Sequence, residues 1–349
     1  MHPEAFRTAV LDWFDLHGRK DFPWQWKRTP YRVWISEIML QQTQVATVVP
    51  YFERFMSRFP NVEVLSAADL DEVLVFWAGL GYYARARNLH KAARCLMEWY
   101  NGRFPQDLAS LMSLPGIGRS TAGAILSFGM DRSAPILDGN IKRLLCRYAG
   151  LEGWPGESRT NRELWHLSET YTPGEKVAAY NQAMMDLGAL VCTKRYPHCE
   201  TCPLRDGCLS HCRGITDVIP MTKPRRTLPV RHCFMLVLRN AAGEVYLEKR
   251  APAGLWGGLR SFPEFSSEGE LLAWCSGRRI DTSRLECLRQ RRHTFSHYHL
   301  DFTPVLVHTE QRYGFVGEGT GHGWFHPEAL PGSPAPIQRL LVEINSVPN

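Results

Sequence analysis

Through residues 1–212, apolar positions recur at helical spacing between short polar breaks. In "TPYRVWISEIMLQQTQVATVVPYFERFMSRF", Thr29 suits a helix N-cap and Pro30 the first helical position. Val33, Trp34, Ile38 and Val45 then follow at helical spacing until Pro50, which is expected to interrupt the run. Further helices are expected over "DLDEVLVFWAGL", "ARARNLHKAARCLMEWY", "STAGAILSFGM", "GNIKRLLCRYAG" and "EKVAAYNQAMMDLGALVC", separated by Gly, Pro and Asn breakers. The character changes after Cys212. "GITDVIPMTKPRRTLPVRH" is Pro-rich and basic with no helical period, and reads as a linker over 213–230. Beyond it, "CFMLVLRN", "EVYLEKR" and "HYHLDFTPVLVH" alternate or are β-rich and predict strands. "SEGELLAWC" and "APIQRLLVEINS" predict helices, so residues 231–349 read as a smaller α+β domain.

A chain of 349 residues is long enough for two such domains. No apolar run approaches the roughly 18 residues of a membrane-spanning helix. The N-terminal stretch carries acids and no apolar signal core, so no secretory signal is expected and the compartment is expected to be reducing. The net charge of +6 permits a polyanionic partner without requiring one.

In that setting the cysteines become informative. Five of the ten fall within "VCTKRYPHCETCPLRDGCLSHC". Cys192, Cys199, Cys202 and Cys208 give the spacing C-x6-C-x2-C-x5-C, which suits tetrahedral zinc or a [4Fe–4S] cluster, and the spacing leaves both open. Cys212 is a spare that competes with Cys208 for the fourth position. Lys194, Arg195 and Arg205 interleave the thiols, as a basic loop pinned against phosphate would require.

"LPGIGRSTAGAIL" sets Gly116 and Gly118 ahead of a helix that opens with Ser120 and Thr121. Two glycines let backbone N–H groups approach an anion, and the helix start adds a favourable dipole end. The plainer alternative is a tight helix–helix turn.

Two carboxylates stand out. Glu37 has Val33, Trp34, Ile38 and Leu40 as helical neighbours. A Glu on an apolar face has its pKa raised by desolvation and suits a general acid, although periodicity alone favours a surface Glu at the stripe's edge. Asp138, in "APILDGNIKRLL", follows an apolar run and precedes a helix, so Asp138 or Asn140 suits an N-cap; an Asp there can also point into a cleft.

Taken together, the glycine turn, "LDGN" and the cysteine spacing resemble the endonuclease III superfamily of DNA glycosylases. "SEIMLQQTQV", "GLGYYARARNLH", "LPGIGRSTAGAI", "ILDGNIKR", "NQAMMDLGA", "GLWGGLRSFPEF" and "HTFSH" are similar to its MutY-type adenine DNA glycosylases, over nearly the whole chain. The resemblance implies a multi-domain fold: an all-α helix–hairpin–helix glycosylase core with a cluster loop, plus a C-terminal α+β Nudix-like domain. It implies a catalytic domain over 1–212, made of a six-helix barrel module near 24–132 and a second module from 1–23 and 133–212. It implies a [4Fe–4S] cluster on Cys192, Cys199, Cys202 and Cys208. The implied substrate is adenine opposite 8-oxoguanine or guanine in duplex DNA, flipped from the stack before an abasic site is left.

On the same resemblance, Glu37 protonates adenine at N7, and Asp138, ionised, stabilises or transiently bonds the oxocarbenium-like state, by analogy with retaining glycosidases. Asn140 would support Asp138. Gln42 and Tyr82 would wedge into the duplex near 8-oxoguanine. Lys20, Trp24 and Gln182 would belong to the adenine pocket. Phe295, Ser296 and His297 would read 8-oxoguanine. Related strand-cleaving lyases carry a Lys where this chain has Ser120, so no amine is available there for a Schiff base and a monofunctional enzyme is expected. Lys142, near Asp138 in sequence, is expected to trap abasic product weakly at most. The C-terminal domain lacks a Nudix-type run of metal-binding glutamates, which argues for base recognition over pyrophosphate hydrolysis. The rival readings are a bifunctional glycosylase/lyase, a non-catalytic zinc DNA-binding module and a Nudix hydrolase with a helical appendage. A monomer, DNA-associated in the cytoplasm, is the expected state.

Overall fold

The computed structural model describes residues 2–223, 227–251, 254–310, 321–330 and 332–346; residues 224–226 of the expected linker lie outside it. The chain forms two compact units. One comprises residues 1–67 and 88–225, the other residues 68–87 and 226–349.

Along the chain run α1 (Pro3–His17), a 3-10 turn (Pro23–Gln25), α2 (Pro30–Leu40), α3 (Val45–Arg58), α4 (Val62–Ala67), α5 (Leu70–Trp77), α6 (Ala84–Tyr100) and α7 (Leu108–Met112). They are followed by α8 (Arg119–Met130), α9 (Gly139–Tyr148), α10 (Ser158–Tyr171), α11 (Val177–Asp186) and α12 (Leu209–Cys212). Among the described residues no helix is long and apolar enough to cross a membrane.

Thr29 caps α2 as its sequence position predicts, with Oγ1 accepting the Arg32 N–H at 3.2 Å. Pro50 departs from expectation. The break comes earlier, at residues 41–44, and Pro50 lies inside α3. Its missing N–H forfeits one helical bond, but the apolar face of Val48, Phe52 and Phe55 continues through it and is fully buried. The long run at 175–192 also divides: after α11 the backbone widens to a π-helical turn, Leu187–Val191, which delivers the chain to Cys192.

The first unit is organised around one core. Phe6, Val10 and Phe14 of α1 pack with Ile141, Leu144 and Leu145 of α9, and with Tyr180, Ala183 and Met184 of α11. Between α8 and α9 the chain is extended, and its backbone groups are held by side chains from three helices. Ser120 Oγ accepts the Leu137 N–H at 3.1 Å, Ser168 Oγ donates to Ile136 O at 3.0 Å, and Asn181 Nδ2 donates to Ala134 O at 3.0 Å. Gly123 lets α8 lie against this segment, because a Cβ there would come within 2.3 Å of Pro135 O. A buried extended strand without a partner strand must satisfy its polar groups this way. The result is a rigid approach to Asp138.

In the second unit, strands β1 (Val230–Asn240), β2 (Val245–Lys249), β3 (Arg260–Ser261) and β4 (Glu264–Phe265) precede α13 (Glu268–Gly277). Then come β5 (Glu286–Cys287), β6 (Arg291–Thr294), β7 (His299–Thr309), β8 (His322–Phe325) and α14 (Ala335–Ser346). The sheet is mixed, in the order β3-β2-β1-β7-β5, with β4 on β1, β6 on β7 and β8 on β2. β1 and β7 pair in parallel from Val230↔His299 to Asn240↔Thr309. Leu236, Leu238, Val305 and Val307 from this pair pack on Leu271 and Cys275 of α13. Residues 68–87 join this unit through Lys249 Nζ to Asp71 at 2.7 Å and Arg87 Nη1 to Gly257 O at 2.7 Å.

Candidate active site

A cavity of about 840 Å³ opens in the first unit. It brings together residues from opposite ends of that unit's sequence: Trp24, Glu37 and Gln42 with Ser120, Asp138, Asn140, Lys142 and Gln182. α2 supplies Glu37, the N-terminus of α9 supplies Asp138 and Asn140, and α11 supplies Gln182.

Asp138 is both an N-cap and a cavity residue, so the two sequence readings hold at once. Oδ1 accepts the Ile141 N–H at 2.7 Å, and Oδ2 accepts from Asn140 Nδ2 at 3.2 Å. The Asn140 amide is fixed in turn, since its Oδ1 accepts from Arg143 Nη2 at 3.0 Å. Burial pushes the Asp138 carboxyl up, opposed by these hydrogen bonds and by the Arg143 charge.

Glu37 keeps some accessible surface toward the cavity, yet protein surrounds it. Burial, and secondarily the negative charge of Asp138, push its carboxyl up to about 8. The two acids are thus electrostatic neighbours with different environments. Asp138 is supplied with donors that favour its anion, and the Asp138 charge holds the proton on Glu37. Burial also lowers the Lys142 ammonium, against the pull of Cys146 and Asp138.

The aromatic wall is built on the 3-10 turn. Trp24 stacks on Phe22 at 5.1 Å and meets Phe52 edge-on at 5.6 Å. Lys20 lies outside the cavity lining: its Nζ donates to Asp15 O at 2.9 Å. Arg19 lines the cavity instead, paired with the buried Asp186. Sequence reading missed both, as it missed Gln25, Arg28 and Ser36; a pair 167 positions apart leaves no local signal.

At the hairpin, Gly116 has φ +79° and a Cβ there would lie 2.8 Å from Asn88 Cβ. Gly118 caps α8, with open space where a Cβ would stand. Gly116→Ala is therefore expected to cost about 1–2 kcal/mol from the left-handed backbone, before any clash. A thermal melt that moved by less than a degree would contradict this.

Gln42 is exposed with φ +57°, an uncommon backbone for a non-glycine residue at a cavity rim. In the second unit Tyr82 has φ +49° and is exposed. Phe295, Ser296 and His297 form the tip between β6 and β7, closed by Phe295 N–H to Tyr298 O at 2.9 Å. Ser296 and His297 are exposed there.

The cysteine loop folds as two 3-10 turns, Cys199–Thr201 and Arg205–Gly207. Among the described residues no three His, Cys, Asp or Glu side chains are arranged to hold a metal ion. The four thiols nonetheless lie close enough to influence one another electrostatically. Burial pushes Cys202 up to about 12, with Cys192, Cys208 and Cys199 adding to it. Burial likewise raises Cys208, with Cys192 and Cys199 contributing. Cys192, Cys202 and Cys208 pack against the core, and Cys212 is exposed. Arg147 Nη1 approaches Cys192 Sγ at 3.4 Å, and Arg143 Nε donates to Cys192 O at 2.7 Å. Soft sulfur donors, half-buried together beside guanidinium groups, fit a thiolate-ligated group of net negative charge.

Residues 35–170 match the HhH-GPD superfamily of base excision DNA repair proteins, and residues 234–343 match a NUDIX domain. An adenine DNA glycosylase from Buchnera aphidicola subsp. Acyrthosiphon pisum is 38% identical over 339 residues, covering 96% of each chain. The adenine DNA glycosylase of Homo sapiens is 32% identical, covering 90% of this chain and 67% of its own. Among solved structures, a thermostable thymine-DNA glycosylase aligns with TM-score 0.54 at 28% identity, covering 60% of this chain and 97% of its own. An endonuclease III–DNA complex aligns at 0.51 and 23% identity, covering 62% and 99%, a likeness of fold. A helical hairpin-bearing core and a C-terminal α+β domain, alike over 96% of the chain to a named enzyme, make the conclusion plain: the chain belongs to the adenine DNA glycosylase family, enzymes of base excision repair.

Proposed function

We propose that this chain hydrolyses the N-glycosidic bond of adenine opposite 8-oxoguanine or guanine in duplex DNA and leaves an abasic site. The observation that carries the reading is that Glu37 and Asp138 line one cavity, both raised by burial, with hydrogen-bond donors and the Arg143 charge favouring the anion at Asp138. Adenine is a poor leaving group as an anion. Glu37, protonated near neutral pH, donates to adenine N7 and makes it a neutral one. The C1′–N9 bond breaks through an oxocarbenium-like state, which Asp138 stabilises or briefly bonds before water adds. Asn140 keeps Asp138 oriented, while Trp24 and Gln182 wall the base; Lys20 belongs to the surrounding surface.

Gly116 and Gly118 offer backbone N–H groups to a phosphate. Gln42 and Tyr82 enter the duplex, and Phe295, Ser296 and His297 read 8-oxoguanine. Domain limits of 1–212 and 231–349 with a linker at 213–230 go with this division of labour, in a monomer working on DNA in the cytoplasm. Cys192, Cys199, Cys202 and Cys208 would hold a [4Fe–4S] cluster, whose chemistry there is to cross-link the loop bearing Lys194, Arg195 and Arg205. Purified protein is expected to be brown and to hold iron, with iron content reduced in Cys202→Ser; a colourless, zinc-loaded protein would refute the cluster.

The mechanism is monofunctional. Ser120 is occupied with the Leu137 backbone and offers no amine. Single-turnover reaction on a duplex with one adenine opposite 8-oxoguanine is expected to give strand breaks only after alkali. Breaks without alkali would reinstate a lyase. Borohydride trapping that is lost in Lys142→Ala would assign any minor covalent product to Lys142.

A further inference from the structure

Gln182 is 7% exposed, and its amide lies between the cavity and Asp186, one helical turn on. Nε2 donates to Asp186 Oδ1 at 2.9 Å. Asp186 is wholly buried and surrounded by donors. Arg19 Nε and Nη2 reach Oδ1 at 2.9 and 2.7 Å, and the Arg19 backbone N–H reaches Oδ2 at 2.8 Å. With Arg19 and the Gln182 amide both donating to it, the Asp186 carboxylate serves as an acceptor. Reversing the Gln182 amide would set its oxygen against Oδ1, two acceptors in a buried site. Among the described residues no hydrogen bond reaches Gln182 Oε1, and Gln182 lines the cavity.

We propose that Asp186 and Arg19 are positioning residues that fix the Gln182 amide with its oxygen toward the cavity, as a permanent acceptor for the exocyclic amine of a bound purine. The inference rests on the adenine reading above and adds how selectivity within it is set. A 6-amino purine satisfies Oε1, whereas a 6-oxo purine opposes oxygen to oxygen. The same ion pair steadies the facing wall: the Arg19 guanidinium lies over Phe22 at 5.0 Å, Phe22 stacks on Trp24, and Gln25 Nε2 donates to Arg19 O at 3.0 Å.

The test is a charge relocation in the full-length, iron-loaded protein. Single-turnover rates are measured on duplexes carrying adenine, or purine without its amine, opposite 8-oxoguanine. Gln182→Glu places two carboxylates against each other and should slow adenine release about tenfold or more. Asp186→Asn alone frees the amide to reverse and should lower the adenine-over-purine preference about tenfold. Combined, the new carboxylate accepts from the Asn side-chain amide and keeps a charge partner for Arg19, so the double variant should return to within about threefold of wild type. Losses that simply multiply in the folded double variant would overturn the proposal. Gln182→Met, which leaves the ion pair intact, guards against misfolding of the Asp186 variants: an undiminished adenine preference there would also overturn it. Wild-type protein that releases no adenine would refute the substrate reading itself, an outcome distinct from either.

Discussion

Glu37→Gln is expected to slow single-turnover adenine release by about 10²–10⁴, the range of a general acid's contribution. The substitution keeps size and hydrogen-bonding capacity and removes only the transferable proton. In the wild type the rate should fall as pH rises through about 8, where Glu37 loses that proton. The acid limb belongs to Asp138, whose carboxyl burial holds above the usual carboxylate range, so the profile is bell-shaped. The stability of Glu37→Gln should move opposite to its activity. Unfolded, Glu37 releases its proton near 4.5; folded, it holds it to about 8. Between those values the folded state binds more protons, so the cost of this group grows as pH rises through the window. Glu37→Gln should therefore melt at a higher temperature than wild type at pH 8 while matching it near pH 4. A variant that lost activity and stability together would instead mark Glu37 as a packing residue.

That one residue illustrates what a sequence can and cannot carry. Helical periodicity places Glu37 at the edge of an apolar stripe, where a surface role is the simpler reading. Its burial comes from elsewhere in the first unit, through Trp24, Ser120, Asp138 and Gln182 closing one cavity. Asp138 is easier, because a cap signal is local, and the cap and the catalytic candidate prove to be one residue. The glycine hairpin is legible for the same reason: the positive φ of Gly116 is written in a few consecutive residues. Long-range polar pairs are not. Nothing near Asp186 points to Arg19, and nothing near Ser168 or Asn181 points to the carbonyls of residues 134–136 that they hold. Strands of two residues, such as β3 and β5, are too short to leave any pattern, whereas β1 and β7 are legible as long β-rich apolar runs buried on both faces. Pro50 misleads because tertiary burial of Val48, Phe52 and Phe55 outweighs one missing helical bond.

Asp138→Asn is expected to lower adenine release by about 10²–10³, the usual loss when a group aimed at developing charge is neutralised. The choice of Asn matters. Its oxygen can still accept the Ile141 N–H, and Asn caps a helix as well as Asp does, so α9 should keep its start and its stability. Asp138→Ala would mix in about 1 kcal/mol of lost cap and blur the reading. A second signature separates charge from geometry. The Asp138 anion is one of the two causes that raise Glu37. Removing it should let Glu37 ionise more easily, so the alkaline limb of the residual activity should shift to lower pH. Loss of rate with that limb unmoved would mean the two carboxylates do not interact in the working enzyme. A rate within about threefold of wild type would remove Asp138 from the chemistry and leave it a helix cap alone.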